Sequence, residues 1–135
     1  MDARAVLLLK LQAHPELSFS ETPDVVRIEA PGPHGFAVEL HSLGARSKVF
    51  LGNAGFHESF GSGSEALNFI AWCYSGTARL REIWRGGSAQ AAVLEALEAG
   101  EWRPVAETRF FLVPFWRLRR EIILENPSLL QGAER

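Results

Sequence analysis

Between Arg109 and Arg117 the chain reads Phe110, Phe111, Leu112, Val113, Pro114, Phe115 and Trp116 without a single charge. Successive side chains of a strand point to opposite faces, so an unbroken apolar run in extended form needs cover on both sides. A second apolar segment, residues 66–74, has the composition to provide that cover on one side. The other side falls to a further helix or to a second copy of the chain. The run therefore predicts layers packed around a sheet.

The chain has 135 residues, of which 47% are hydrophobic and 22% charged, which is enough for one core and hardly for two. The expected organisation is a single α+β domain over residues 1–126, followed by a loosely ordered tail at 127–135. Fourteen basic and sixteen acidic residues leave a formal charge of −2. Residues 1–77 hold five basic and eight acidic side chains, and residues 78–135 hold nine and eight. Neither part has the positive excess by which non-specific nucleic-acid binding neutralises phosphates, so no nucleic-acid partner is expected. Cys73 is the only cysteine, which excludes an intrachain disulfide. The apolar stretch at residues 5–9 is too short for a signal peptide, and no run approaches the length of a membrane helix. The expectation is a cytoplasmic protein with no membrane partner.

Residues 3–13 read as a helix stopped by Pro15. From Val25 the period changes to two, with Val26 and Ile28 alternating with Arg27 and Glu29. Phe36, Val38 and Leu40 resume the alternation beyond Pro31, Gly32 and Pro33, and Val49 and Leu51 continue it beyond Gly44. These segments predict an antiparallel meander of three half-buried strands. Residues 53–63, punctuated by Gly55, Gly61 and Gly63, read as loop. Ser62 followed by Glu65 fits a capping box, so a helix should occupy about 64–75 and stop at Gly76. Its apolar residues cover nearly the whole circumference, as in a central helix.

Residues 80–108 admit two readings. The Ala, Leu and Glu content of 89–98, followed by Gly100, suits a helix. Gly86-Gly87 and Ala99-Gly100 equally suit tight turns joining three strands. The hairpin reading is preferred, because it sets 80–85 and 102–106 beside 110–116 without a crossover. Residues 119–125 suit a last strand or a helical turn. The resulting expectation is an antiparallel sheet of about six strands, carrying the N-terminal helix and the central apolar helix.

Chemistry is sparsely signalled. His57-Glu58, in the glycine-rich stretch, pairs a group that titrates near neutral pH with a carboxylate. Their neighbours Phe56 and Phe60 suggest instead a loop pinned to the core. Glu39 and His41, two apart on a strand, could join His57 or His34 at zinc, but the spacing is far less specific than a CxxC or HExxH motif. A solvated strand face explains the pair better, so no metal or cofactor is expected. Cys73 in mid-helix reads as a buried small hydrophobe rather than a nucleophile. Ser62 and Ser64 lack a nucleophile-elbow pattern, and the glycines match neither a P-loop nor a dinucleotide fingerprint. Arg79, Arg81 and Arg85, with Arg117, Arg119 and Arg120, could form an anion-binding strip, or be neutralised by the acids of the same half. Trp84, Trp102 and Trp116 each sit beside an arginine, a pairing enriched at interface hot spots, and Phe115 adjoins Trp116.

No catalytic residue is identified. The leading expectation is a non-enzymatic protein-protein interaction domain that homodimerises, with Trp84, Trp102, Phe115 and Trp116 at the interface and a further protein partner possible. The alternative is a small enzyme or anion-binding domain using the His57/Glu58 loop with Arg81 and Arg85.

Overall fold

A computed structural model of the chain describes residues 2–110 and 114–129. Helix α1 (Ala3–Gln12) begins where Asp2 Oδ1 accepts hydrogen bonds from the backbone of Arg4, at 3.1 Å, and Ala5, at 3.4 Å. This cap satisfies donors that the first turn leaves open. Ala3, Leu7 and Leu11 fall on one stripe at i, i+4 and i+8 and are buried.

The predicted meander is present and longer at both ends. Strands β1 (Phe19–Glu21), β2 (Val25–Ile28), β3 (Val38–Leu43), β4 (Arg46–Leu51) and β5 (Phe56–Phe60) form a five-stranded antiparallel sheet in chain order. Val26, Ile28, Val38, Leu40, Val49, Leu51 and Phe56 are all buried. Arg27, Glu39, His41, Lys48, Phe50 and His57 take the opposite parity and form the sheet's outward face. The stretch read as loop at 53–63 therefore contains a strand. Gly52 and Gly55, with φ of 68° and 82°, complete the turn early enough for Phe56 to pair with Leu51.

Helix α2 (Gly63–Cys73) starts where expected, with Ser62 Oγ accepting from Glu65 N at 3.2 Å, and ends before Gly76 at φ 85°. Beyond it, β6 (Ala78–Arg85), β7 (Ser88–Glu98), β8 (Glu101–Arg109) and β9 (Arg119–Leu124) form a four-stranded antiparallel sheet in the order β8-β7-β6-β9. The hairpin reading of 89–98 is thus the observed one. Ala99 and Gly100 have φ of 52° and 80°, the doubly left-handed turn that matches strand twist. Of residues 119–125, Arg119–Leu124 form the last strand.

The class is α+β, with antiparallel strands packed against two helices. Among the described residues the strands number nine, not about six, and divide between two sheets, with α2 standing between β5 and β6 in the chain. One core joins α1, α2, the inward face of the first sheet, and Leu80, Ala92, Leu94 and Leu124 of the second. Two buried polar side chains bind its parts together. Glu82 Oε2 accepts from the backbone of Asn53 at 2.7 Å and Ala54 at 2.9 Å, tying β6 to the β4–β5 turn. Asn126 Oδ1 accepts from Phe36 N at 2.8 Å while its Nδ2 donates to Phe36 O at 3.1 Å.

The apolar run departs from expectation. β8 stops at Arg109, and residues 114–117 form a turn and bend rather than a central strand. Pro114 has no N–H to give a ladder, which disfavours strand at that point. Phe111, Leu112 and Val113 lie outside the described residues. So do residues 130–135 of the tail, whereas Leu129 N donates to Tyr74 O at 2.9 Å.

Candidate functional site

Between β8 and β9, the described residues Phe115, Trp116 and Leu118 turn their side chains outward. Phe110 N donates to Gln90 O at 3.0 Å, Gly86 N donates to Leu118 O at 3.1 Å, and Arg117 N donates to Pro114 O at 2.9 Å. Arg85 Nη1 adds a contact to Arg117 O at 3.4 Å. The β6–β7 hairpin therefore anchors both ends of the described loop. Phe115, Trp116 and Leu118 nevertheless remain 77%, 72% and 86% exposed. Phe115 and Trp116 touch edge to face with centroids 5.4 Å apart. Ile123 on the adjoining strand is also exposed. Scattered exposed apolar residues are ordinary, but here three lie within four positions of one anchored loop. Among the described residues Arg117, within the same loop, enters no ion pair.

The four aromatic residues expected at an interface do not form one surface. Phe115 and Trp116 lie together. Trp102 sits at the other end of β8, half-buried under the Arg79 guanidinium, which stands 4.5 Å from its ring centroid. Trp84 is partly buried and packs against the core.

The residues of the alternative site are likewise dispersed. His57 lies on the outward face of the first sheet and Glu58, its neighbour in the strand, has the opposite parity. Arg81 and Arg85 belong to the second sheet. Arg79 Nε pairs with Glu95 Oε1 at 2.7 Å, Arg81 Nη1 with Glu121 Oε1 at 3.0 Å, and Arg119 Nη1 with Glu121 Oε2 at 3.5 Å. Arg85 Nε donates to Gln90 Oε1 at 3.1 Å. The arginine strip is thus largely engaged with its own sheet. The hydrogen bond from Arg81, with Arg119 nearby, holds the Glu121 carboxyl below the usual carboxylate range.

On the first sheet Glu39 accepts from Arg27 Nη1 at 2.6 Å and meets His41 Nε2 at 2.8 Å. Burial alone would raise the Glu39 carboxyl, but these two hydrogen bonds outweigh it and hold the pKa low. His41 and His57 flank Phe50, with centroids 4.6 and 5.6 Å away. Among the described residues no group of three or more His, Cys, Asp or Glu side chains could hold a metal ion. Cys73 is fully buried, and burial pushes its thiol far up, which removes it as a nucleophile at neutral pH.

The sequence signalled the Phe115–Trp116 part of the patch through its apolar run. It did not single out Leu118, because an isolated leucine between arginines carries no pattern. Among the described residues no helix is long and apolar enough to cross a membrane. Compared with protein-family models, curated proteins and solved structures, the chain matches none of them.

Proposed function

We propose that this chain is a non-enzymatic interaction module that pairs with a second copy of itself through the β8–β9 connection and the adjoining β9 edge. The observation that carries the reading is the exposure of Phe115, Trp116 and Leu118 on a hydrogen-bonded backbone. Such a surface gains apolar burial on association without first losing loop entropy. Burial is favourable by roughly 25 cal/mol per Å², and a stable dimer covers about 800 Å² per partner. Among the described residues β9 is also an edge of its sheet, whereas the opposite edge, β8, carries Pro104 and an irregular register, two devices that discourage strand addition. The lone, buried Cys73 suits a reducing compartment such as the cytoplasm.

In a two-fold contact each patch meets its counterpart, so one substitution acts twice. Sedimentation across a dilution series should show a dimer that dissociates at low concentration, and Trp116→Glu should leave a folded monomer throughout. A wild-type protein that stays monomeric at high micromolar concentration overturns the reading.

A further inference from the structure

Residues 108–120 hold four arginines and no acidic side chain, although the whole chain carries a formal charge of −2. The fold gathers part of this charge at the base of the β8–β9 loop. Arg85 and Arg119 are cross-strand partners on β6 and β9, so their side chains leave the same face. Arg85 Nη1 also reaches Arg117 O at 3.4 Å, and the aliphatic stem of Arg117 lies over Gly86, where an added Cβ would stand 3.4 Å from it. Among the described residues neither Arg85 nor Arg117 meets a carboxylate. Arg119 has only Glu121, at 3.5 Å, and that carboxylate is shared with Arg81 at 3.0 Å. Three guanidinium groups thus have one shared carboxylate among them. Phe115, Trp116 and Leu118 stand exposed on the same stretch of chain.

The surface that answers both components at once is a bilayer interface. Aromatic rings settle at the headgroup level, and arginine beside them pairs with phosphate and with acidic headgroups. A soluble polyanion would satisfy the arginines and leave the rings in water. A neutral bilayer would cover the rings and leave the arginines without counter-charge. We propose that the β8–β9 loop docks on an anionic lipid bilayer, with Phe115, Trp116 and Leu118 entering the headgroup layer and Arg85, Arg117 and Arg119 holding acidic headgroups. Such attachment lies in the plane of the interface and needs no spanning segment. It uses the side chains that pair two copies in solution, so the two modes compete, and neither requires the other.

Cosedimentation of the full chain with vesicles tests this docking. Vesicles of phosphatidylcholine with phosphatidylserine should bind the protein, phosphatidylcholine alone should bind it far more weakly, and added salt should narrow the gap. Each arginine near an anionic surface is worth about a fivefold gain in partitioning, so the double variant Arg117→Gln, Arg119→Gln should bind about 25-fold more weakly. Its oligomeric state in solution should remain that of the wild type. The double variant Phe115→Ser, Trp116→Ser should stay folded and lose vesicle binding. Equal binding to both kinds of vesicle, or undiminished binding in either double variant, overturns the proposal. Loss in the arginine variant alone indicates a soluble polyanion and overturns it equally. A wild-type monomer that binds the phosphatidylserine vesicles overturns only the pairing of two copies, whereas a protein that ignores them at every dilution overturns only the docking.

Discussion

Helix α2 and the β8–β9 connection are the two most apolar segments of the chain, and they meet opposite fates. Ala66, Leu67, Ile70 and Cys73 are buried, while Phe115, Trp116 and Leu118 stand in water. The helix satisfies its own backbone, has its first-turn Glu65 N–H accepted by Ser62 Oγ, and turns its inner face onto both sheets. The connection cannot enter a ladder at Pro114, and the core is already closed by α1, α2 and the two sheets. Apolar composition therefore shows that a surface calls for cover. Backbone hydrogen bonding decides whether the same molecule provides it.

The sharpest way to break this contrast is to remove matched side chains from the two segments. Ile70→Ala should lose about 2–5 kcal/mol through lost contacts and a cavity, seen as a large drop in the chemical-denaturation midpoint. An unchanged midpoint would show that α2 does not carry the core. Next in size is the claim that the core closes without the connection, which depends on Glu82. Glu82→Leu leaves the Asn53 and Ala54 amides without their acceptor and should cost about 1–3 kcal/mol. Glu82→Gln retains an acceptor oxygen and should recover most of that loss; if it is as unstable as Glu82→Leu, the two hydrogen bonds are not what the residue contributes. The smallest effect is expected at the exposed segment. Phe115→Ser and Trp116→Ser, measured at concentrations low enough for a monomer, should shift stability by no more than about 0.5 kcal/mol. A loss comparable to that of Ile70→Ala would show that the aromatic pair is part of the core after all.

Local rules made much of the fold legible. The extent of α1 and the meander follow from periodicity, and the Ser62 cap of α2 follows from its spacing to Glu65; the Asp2 cap of α1 went unread. The strand at 88–98 was decided by Gly86-Gly87 and Ala99-Gly100 against helix-prone alanines, an instance of turn geometry and pairing overriding propensity. What could not be read were the long-range choices. Nothing local to Phe56 shows that it pairs with Leu51 to begin β5, or that α2 separates the strands into two sheets. The site was half legible for the same reason. A run of apolar residues marks Phe115 and Trp116, but only the anchoring of the connection to Gly86 and Gln90 shows that they face outward. Glu82, Glu95 and Asn126 escaped notice because a buried polar residue looks like a surface one until its partners are known.

The pairing of Asn126 with Phe36 joins residues 90 positions apart. During synthesis at roughly 5–20 residues per second, that separation corresponds to about 5–18 s in which the backbone of Phe36 has emerged but its partner has not. The first sheet can zip hairpin by hairpin over this interval, since its neighbours in space are neighbours in sequence. Its inward face can meet α1 and α2 within the first 73 residues, but the contacts to Leu80, Leu94 and finally Leu124 wait for the second sheet. The nascent chain thus passes through an interval as a sheet covered by its helices alone. Nascent-chain chaperones and slow codons downstream of residue 60 would act on this interval, and the arrival of Asn126 brings it to an end.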